Sequence, residues 1–410
     1  SVLVDEFDIA VIGGGLAGTM AALAAVAEGW SVAFIAPPPP GSDLRTTALM
    51  TESIDLLSRL GVWDEVRQES AALSTMRILD GTKRLFRAPP VSFHSSEIGL
   101  AAFGYNIPNA PLMKAATAQV EATDGIARIP HPLVDAVEDG GVVKLTLADG
   151  TVLSARAVLA ADGRKSKARD CAGIRVRNWS YRQTAMVMNF THRLPHNNIS
   201  TEFHTEAGPF TQVPLPGNRS SLVWAMDPDE VAGVMKLERA DLNTRVEERM
   251  ASILGAVEVE DGFQAYPMSS MIAHNFASGR IFLIGETGHA FPPIGAQGLN
   301  LSLRDVEMAI GSIRDVGGPE KADAAALSYD RARRADVSSR TFGVDLLNRT
   351  LLTSFLPAQM LRAGGLAALG GIKPLKLFAM REGMTPGWRK RSVLPGLAGV
   401  AAGLREKVGR

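Results

Sequence analysis

Cysteine is almost absent from this chain of 410 residues, in which Cys171 is the only one. An internal disulfide framework needs at least two cysteines and is therefore excluded. Zinc sites built from several cysteines and iron–sulfur clusters are excluded for the same reason, and we predict no metal centre. Cys171 itself is expected to be a small buried hydrophobe.

An excess of charge of one sign is absent too, because 43 lysines and arginines balance 43 aspartates and glutamates. Nucleic-acid-binding proteins usually carry a basic excess, so no nucleic-acid partner is expected. Long apolar runs are also missing, since no uncharged stretch reaches the roughly 18 residues that span a bilayer. With no secretory signal pattern at its start, the chain is expected to be cytoplasmic.

The composition that remains is that of an ordinary globular protein, with 46% hydrophobic and 21% charged residues. A chain of 410 residues is too long for one compact core, so two closely joined domains are expected. Forty glycines and 23 prolines indicate many tight turns.

Alternation and apolar runs predict a βαβ unit near the start of the chain. Its strands are predicted at Phe7–Ile12 and Ser31–Ile35, with a helix at Thr19–Glu28 between them. Other predicted helices and strands are helices at Thr51–Leu60, Leu112–Ala122 and Leu299–Arg314, a hairpin from Val142–Leu147 to Val152–Leu153, buried strands at Ala157–Ala161 and Arg280–Ile284, and short strands at Ala185–Phe190, Phe210–Pro214 and Ser221–Trp224. After Leu327 the chain is predicted to be mostly helical.

The glycines of the βαβ unit follow the spacing of a dinucleotide-binding turn. Gly13 permits the tight turn, Gly15 lets the backbone approach a pyrophosphate, and Gly18 lets the helix pack closely on the strand. The helix that follows offers free N–H groups and a partial positive charge to phosphates. Such a spacing is weak alone, but here it lies between a strand and a helix, as the motif requires.

One element of the motif is missing, because an acidic residue normally ends the second strand and binds the adenosine ribose. Ala36 occupies that position. Asp43 could substitute for it, or the ribose could be bound through water.

Two further motifs follow buried strands later in the chain. Asp162 and Gly163 begin the first, and Gly285 and Glu286 begin the second. The second then leads to a helix whose N-terminal amides, near Gly298–Asn300, could face a ligand. A helix N-terminus would stabilise the negative charge that a reduced flavin acquires, so the three motifs together indicate FAD.

Taken together, these motifs resemble the class A flavoprotein monooxygenases, and the stretch Pro292–Asn300 resembles the para-hydroxybenzoate hydroxylase branch. Longer features are similar to the ubiquinone-biosynthesis hydroxylases over roughly residues 6–365. They are Asp43-x-Arg45-x-x-Ala48-Leu49, Gly104-Tyr105, Tyr181-x-Gln183-x-Ala185, Phe203-x-x-Glu206-x-Gly208-Pro209, Pro214-Leu215-Pro216, Val223-Trp224, Leu299-Asn300-Leu301 with Arg304-Asp305, and Tyr329, Arg331 and Asp345.

The resemblance implies an α/β fold with a Rossmann-like FAD-binding domain, an inserted mixed β-sheet substrate domain and a helical C-terminal tail. We expect the FAD-binding domain at 1–180 with 271–330, the insertion at 181–270, and the tail at 331–410. The implied activity is hydroxylation of an aromatic ring with NAD(P)H and O2, the substrate being a polyprenylated phenol of ubiquinone biosynthesis. Other quinone-biosynthesis enzymes are possible partners, and the chain could form oligomers.

The resemblance also implies positions for the FAD-binding residues. The pyrophosphate would lie at Gly13, Gly15, Leu16, Ala17 and Gly18, with Asp162 near it and near the nicotinamide donor. Arg45 would contact the ribityl–pyrophosphate region, Asn109 stands where relatives often have arginine, and the Val134 backbone would meet adenine. Glu286 replaces the usual aspartate, and Gly295, Gln297, Gly298, Leu299 and Asn300 would line the flavin. Pro293 would lie beside the reacting ring through its backbone, and no general base is assigned.

Three alternatives remain open at this stage. A hydroxylase of a small soluble aromatic would share every FAD motif. A flavin halogenase or a prenyl-lipid reductase has a similar core, although the halogenase signature is missing. Given Ala36 and Glu286, a non-catalytic FAD-binding scaffold subunit of the quinone pathway is the third. No second glycine motif is present for NAD(P)H, which indicates transient nicotinamide binding at the flavin site.

Several other conspicuous residues and segments are expected to have structural roles, and for the apolar tail segments two interpretations remain open. His289 is expected to pack behind the flavin loop, and His204 to have a surface or structural role. Arg331, Arg333 and Arg334 are expected to form a solvated helix face. Apolar segments of the tail, Leu346–Leu352, Phe355–Leu361 and Leu366–Phe378, either pack on the core or form an apolar entrance for a prenyl chain at a membrane or partner.

Overall fold

The computed structural model describes residues 5–38, 43–82, 90–292 and 297–341, together with Leu351 and Phe355. Its strands are β1 (Asp5–Ile12), β2 (Val32–Ile35), β3 (Thr46–Leu49), β4 (Ala71–Leu73), β5 (Thr75–Asp80), β6 (Val91–His94), β7 (Gly104–Pro108), β8 (Ile126–Ile129), β9 (Leu133–Asp139), β10 (Val142–Leu147), β11 (Val152–Ala160), β12 (Val176–His192), β13 (Ile199–Thr205), β14 (Gly208–Leu215), β15 (Arg219–Met226), β16 (Val257–Val259), β17 (Gln264–Ala273), β18 (Ala277–Ser278), β19 (Ile281–Leu283) and β20 (His289–Ala290). Its α-helices are α1 (Leu16–Ala27), α2 (Thr51–Arg59), α3 (Asn109–Glu121), α4 (Lys167–Cys171), α5 (Pro228–Met235), α6 (Arg239–Arg249), α7 (Gln297–Asp315) and α8 (Ala326–Thr341). Short 3-10 helices lie at Arg67–Glu69, Ser95–Ile98, Gly285–Thr287 and Pro319–Ala325.

The first sheet is parallel at its centre, where the strands lie in the order β19, β11, β1, β2 and β8. A parallel sheet is covered on both faces, which explains the continuous apolar run of β1. Ile9 and Val11 face a cluster that includes α1, α3 and α7, whereas Ala10 and Ile12 face the β9–β10 hairpin and α4. The sheet therefore carries its core on two sides, and the turns at the carboxyl ends of its strands remain available for a ligand.

A second, larger sheet has the strand order β20, β17, β12, β15, β14, β13, β5 and β6, with β16 beside β12. It is antiparallel except where β13 runs parallel to β5. One of its faces is covered by α5 and α6 through an apolar core that contains Met186, Phe210 and Trp224. A small sheet of β3, β7 and β4 lies between the two larger ones and contacts β14.

The fold is the predicted α/β architecture, and most predicted elements are present with shifted ends. Helix α1 begins at Leu16, three residues earlier than predicted, so that Gly18 lies inside it. The predicted strands at Val152–Leu153 and Ala157–Ala161 are one strand, β11, which first pairs with β10 and then with β19. The large sheet also includes β5 and β6, which precede the predicted insertion at 181–270.

The tail beyond α8 falls outside the described residues except at two positions. Leu351 and Phe355 are both buried, and the Phe355 ring packs against Gly104 on β7. The two interpretations of the apolar tail segments otherwise concern residues that the structure does not describe. Within the described residues, no helix is long and apolar enough to cross a membrane.

Candidate active site

Two glycines of the first turn allow three backbone segments to meet. Gly13 has a φ of +111°, and a Cβ there would overlap the carbonyl oxygen of Ala161 at the end of β11. A Cβ on Gly18 would overlap the carbonyl oxygen of Gly13 and lie 3.4 Å from the Cβ of Ala161. Any larger residue at either position would push α1 away from the sheet.

Gly15 is different, because a Cβ built on it meets nothing within 4 Å among the described residues. It is the N-cap of α1, it provides no side-chain hydrogen bond to the helix, and the first turn of α1 has no acidic residue. Among the residues that the structure describes, the amides at this helix end therefore face open space, and the first turn carries no acidic side chain that would compete for them. A pyrophosphate fits such a site, because the N–H groups and the helix dipole both favour negative charge.

The end of β2 offers no carboxylate for a ribose. A Cβ built on Gly14 lies 2.9 Å from the Cβ of Ala36, so the small residue at 36 leaves room for the turn. Asp43, the suggested substitute, is engaged elsewhere, because its carboxylate accepts hydrogen bonds from Arg45 and Asn109. The structure therefore favours binding of a ribose without an acidic side chain from this segment.

Arg45, Asp43 and Asn109 form one cluster at the start of α3. Nε and Nη2 of Arg45 each lie 2.9 Å from an oxygen of Asp43, and Asn109 Nδ2 donates to the same carboxylate at 3.0 Å. Asn109 Oδ1 accepts from the Thr47 hydroxyl at 2.6 Å. The cluster fixes the direction of the Arg45 guanidinium, as a bidentate carboxylate partner does.

The charges in this cluster shift two pKa values. Burial acts to raise the pKa of Asp43, but the hydrogen bonds from Arg45 and Asn109 bring it below its usual value. The hydrogen bond that Arg45 donates to Asp43 raises the pKa of Arg45, and the charge of Glu286 adds to that effect. Glu286 is exposed and its charge acts on Arg45, so the Arg45 segment and the third motif interact electrostatically.

Arg45 also faces the large sheet. Its guanidinium carbon lies 5.8 Å from the centre of the Tyr266 ring on β17. The neighbouring Leu44 carbonyl accepts a hydrogen bond from Asn189 Nδ2 on β12 at 3.1 Å. These residues line a shallow cleft together with Val187 and Gln264. The segment that carries Arg45 is thus held between the start of α3 and the large sheet.

Asp162 lies at the end of β11 and is hydrogen-bonded within its own loop. Its carboxylate accepts hydrogen bonds from the Ser166 hydroxyl and from the Ala168 amide, the latter at 3.2 Å. The adjacent Gly163 amide donates to Thr287 Oγ1 at 3.0 Å. Asp162 therefore shapes the turn, and its loop is tied to the third motif.

Arg169 also connects the loop of Asp162 to the third motif, and the sequence analysis did not predict this role. It is 5% exposed and donates to the carbonyls of Thr287 and Arg164 at 2.9 and 2.7 Å. Its spacing from Asp162 was the available signal, since both belong to one short loop and helix.

The third motif rests on a buried charged network. Asp305 Oδ2 accepts from the Gly285 amide at 2.8 Å and lies 2.5 Å from His289 Nε2. Asp305 Oδ1 accepts from Arg333 Nε at 2.6 Å, and Arg333 Nη1 donates to Asp336 at 2.5 Å. His289 thus lies behind the turn and, at 1% exposure, away from any solvent-facing chemistry.

The expectation of a solvated arginine face is wrong for Arg333, which is completely buried. Arg331 and Arg334 are exposed, and Arg334 pairs with Asp330 at 2.9 Å. The helix turns Arg333 inward because Asp305, 28 positions earlier on α7, provides the buried acceptor. His204 is likewise buried, 3.2 Å from Glu202, which removes the surface interpretation for it.

Helix α7 begins at Gln297, and Gly298 and Leu299 lie in its first turn. A Cβ built on Gly298 would meet nothing within 4 Å among the described residues. The side chain of Asn300 accepts from the Met50 amide and the Ser53 hydroxyl at 2.9 and 2.6 Å. It also donates to the Ala48 carbonyl at 2.9 Å, so the side chain joins α7 to the corner between β3 and α2. Only the backbone of Asn300 would then contact a ligand at this helix end.

Two proposed positions, Pro293 and Gly295, lie outside the described residues, as does the side chain of Gln297. Val134 lies on β9 at an irregularity of its pairing with β10, and its side chain is exposed. The preceding Leu133 belongs to the same apolar cluster as Ile35 at the end of β2. No group of three or more potential metal ligands is found among the described residues.

Comparison with known proteins gives one consistent picture. A family model described as "FAD binding domain" matches residues 6–341. "Ubiquinone hydroxylase UbiL" of Rhodospirillum rubrum is 31% identical over 387 residues, 92% of this chain and 89% of that protein. The "3-demethoxyubiquinol 3-hydroxylase" of Escherichia coli is 29% identical over 385 residues, 91% of this chain and 97% of that protein.

Solved structures agree at the level of the fold. The crystal structure of pqsL, described as a probable FAD-dependent monooxygenase of Pseudomonas aeruginosa, superposes with a TM-score of 0.69 at 20% identity. The match covers 82% of this chain and 94% of that one.

Proposed function

This chain belongs to the FAD-binding-domain family of flavoprotein monooxygenases, and from that premise we propose that it hydroxylates the ring of a polyprenylated phenol in ubiquinone biosynthesis. The reaction consumes NAD(P)H and O2. One observation carries the substrate class: similarity to two ubiquinone-pathway hydroxylases extends over more than 90% of the chain, so it includes the large sheet as well as the FAD half.

The residues of the first turn fit the cofactor. The open space at Gly15 and the uncapped α1 would receive the pyrophosphate, and Leu16, Ala17 and Gly18 would offer their amides. Arg45, held by Asp43 and Asn109, would neutralise charge on the ribityl–pyrophosphate side. The Val134 backbone would lie at the adenine, near the end of β2.

The other two motifs complete the proposed site. Gly285, the residue before Glu286, lies beside α1, because a Cβ built on it would be 3.3 Å from that of Ala17. The first turn of α7, from Gln297 through Gly298 and Leu299 to the Asn300 backbone, would line the flavin together with Gly295, with Pro293 beside the substrate ring. Asp162 would shape the loop near the pyrophosphate and the nicotinamide donor.

Bound FAD would accept hydride from NAD(P)H and activate O2 for transfer of one oxygen atom to the ring. The chain's own contribution is to hold the substrate ring at the flavin and to keep water away from the reacting atoms. The α7 N-terminus would stabilise negative charge that develops on the flavin.

A prenylated substrate suggests a place in the cell as well as a reaction. We propose peripheral contact with the inner membrane, from which a prenyl chain could be taken up, and contact with other enzymes of quinone biosynthesis. Membrane vesicles containing a prenylated phenol would be the natural substrate source in any assay.

The test is incubation of the purified, FAD-loaded chain with NADPH, 18O2 and matched prenylated and unprenylated phenols. We expect one heavy oxygen atom in the product of the prenylated phenol. A product without heavy oxygen contradicts a monooxygenase, and turnover of the unprenylated phenol alone would assign the chain to small soluble aromatics. An FAD-binding scaffold would show no phenol-stimulated NADPH oxidation, and a reductase would consume no O2.

A further inference from the structure

On β13, Glu202 and His204 form a buried pair that the proposed function has not used. The two residues are 4% and 8% exposed, and Oε2 of Glu202 lies 3.2 Å from Nε2 of His204. Oε1 of Glu202 accepts a hydrogen bond from the Thr211 hydroxyl on β14 at 3.2 Å. Burial of a carboxylate is costly, so a buried one normally has a strong partner or a function.

The second carboxylate oxygen of Glu202 is incompletely satisfied. Among the described residues no donor makes a well-aligned hydrogen bond to Oε2, because the approach of His204 is close but poorly directed. Buried polar atoms in proteins are nearly always hydrogen-bonded. A hydroxyl group of a bound ligand would complete this site, since it donates one hydrogen bond and brings a proton that can be transferred.

The strand registers show which face of the sheet Glu202 occupies. Glu202 is the partner of Thr211, and Thr211 is the partner of Val223 on β15. Val223 and Ser221 are two positions apart and therefore share a face. Ser221 Oγ accepts a hydrogen bond from Thr46 at 2.9 Å, so this face is turned toward the segment that carries Arg45, opposite to α5 and α6.

Small apolar residues lie on the same face of the sheet, beside the row that contains Glu202, Thr211 and Val223. Ala185 on β12 and Ala225 on β15 are register partners and form an apolar cluster with Met268 and Val223. Strands lie about 4.8 Å apart, so Glu202 is about 10 Å from Val223, two strands away. Ala185 and Ala225 are buried and their side chains are short, so this part of the sheet offers a flat apolar surface on which an aromatic ring would pack.

We propose that the Glu202–His204 pair binds a phenolic hydroxyl of the substrate and that Glu202 accepts its proton. This inference rests on the proposed function, because it assigns the general base that an aromatic hydroxylation of a phenol requires. It also makes a hydroxyl on the ring a condition for recognition.

The step is balanced without a further reagent. The phenolic O–H bond breaks, its proton is transferred to Oε2 of Glu202, and the electron pair stays on the phenolate oxygen. The ring becomes richer in electrons and more reactive toward the oxygen that bound FAD, NAD(P)H and O2 supply. The proton returns to the product oxygen before release, which restores the Glu202 carboxylate beside His204.

The experiment compares Glu202→Gln with the wild type as full-length, FAD-loaded proteins on a prenylated phenol and on its O-methyl ether. Glutamine keeps the shape but does not accept a proton, so kcat/KM for the phenol should fall about 100-fold. The loss should shrink as the pH approaches the phenol's own pKa of about 10, because the substrate then ionises unaided. Among the described residues, the titratable groups facing Glu202 are His204 and, beside it in the β5 register, Asp80.

Glu206→Gln, in the exposed turn after β13, is the matched control and should retain wild-type kcat/KM. His204→Gln is a second variant for the case that Glu202→Gln does not fold. It should also lower kcat/KM for the phenol. Wild-type-like kcat/KM in both variants, or a loss that high pH leaves unchanged, overturns the inference. If the wild type itself hydroxylates no phenol, the proposed function fails instead.

Discussion

A single methyl group has opposite consequences at two glycines of the first turn. At Gly18 it would overlap the carbonyl oxygen of Gly13, which joins β1 to α1. At Gly15 it would enter space that no described residue occupies within 4 Å. The first glycine is required by the fold itself, and the second is required only when a ligand approaches the backbone.

We therefore expect Gly18→Ala and Gly15→Ala to fail in different ways. Gly18→Ala should lower the free energy of unfolding of the FAD-free protein by about 1–3 kcal/mol through overpacking. Gly15→Ala should change that free energy by less than about 1 kcal/mol, yet weaken FAD binding at least tenfold. Urea unfolding of the FAD-free variants and fluorescence titration with FAD measure the two effects.

Gly233→Ala provides the control, because Gly233 lies inside α5 with nothing within 4 Å of its missing Cβ. It should raise stability by up to about 1 kcal/mol and leave FAD binding unchanged. Equal weakening of FAD binding in all three variants would contradict the assignment of Gly15 to the pyrophosphate.

At this scale the sequence predicts contacts within a motif better than contacts between motifs. The glycine spacing is local, so the reason for Gly13 and Gly18 follows from a strand, a turn and a helix. The pairing of Asp43 with Asn109 joins residues 66 positions apart. No local pattern indicates it, which is why Asp43 was an open choice for the ribose.

At the scale of elements, the last described helix supports the third motif from behind. Arg333 on α8 and Asp305 on α7 are buried together, and Asp305 in turn accepts from the Gly285 amide. The turn that carries Glu286 is thus fixed by two helices. A pair of this kind favours one arrangement, because either charge alone would be buried without compensation.

Removal of one partner should therefore cost more than removal of both. Arg333→Met and Asp305→Asn are each expected to lower the free energy of unfolding by about 3–5 kcal/mol, and the double variant by less than their sum. FAD binding should weaken in all three, because the Gly285 turn loses its anchor. Urea unfolding in a double-mutant cycle and FAD titration test this.

Arg331→Met is the matched control, since Arg331 lies on the same helix but is exposed. Its stability and FAD affinity should stay within experimental error of the wild type. Additive losses from Arg333→Met and Asp305→Asn would show that the two side chains act independently.

Periodicity in the sequence predicts that an element exists but not what its charged side chains meet. The βαβ unit and α7 were predicted because their apolar spacing is regular. Arg333 looked like its neighbours Arg331 and Arg334, and only the packing of α8 on α7 separates them. The two predicted strands that merge into β11 show the same limit, because one strand there serves two different pairings.

At the scale of the whole molecule, the Arg45 segment connects helix α3, in the half that carries the first sheet, with the large sheet. It is bound to α3 through Asp43 and Asn109 and to the large sheet through Asn189 and Tyr266. A cofactor that contacts Arg45 would add a further connection between these halves. FAD binding should then stabilise the chain as a unit.

We expect FAD to raise the midpoint of thermal unfolding, by an amount that grows with the logarithm of its concentration. At an FAD concentration 100 times the dissociation constant, the free energy of unfolding should increase by about 2.7 kcal/mol. Arg45→Met should reduce the gain at fixed FAD concentration without removing the transition of the FAD-free protein. Two separate transitions, only one of them sensitive to FAD, would contradict coupling through this segment.

The overall fold class could be predicted because its motifs are distributed along the chain in a recognisable order. The width of the large sheet could not, since β5 pairs with β13 across a separation of 124 positions. Turn chemistry and alternation describe each strand singly, and pairing at that distance depends on the complete fold.

The parallel pairing of β5 with β13 also affects how the chain is made. Residues 75–80 leave the ribosome long before residues 199–204 are synthesised. During that interval β5 has no β13 to pair with, and its backbone hydrogen-bonding groups on that side are exposed. At about 5–20 residues per second, that interval lasts from several seconds to nearly half a minute. An exposed edge of that duration is an aggregation risk, so chaperone dependence during synthesis should begin at β5 and end once β13 has emerged.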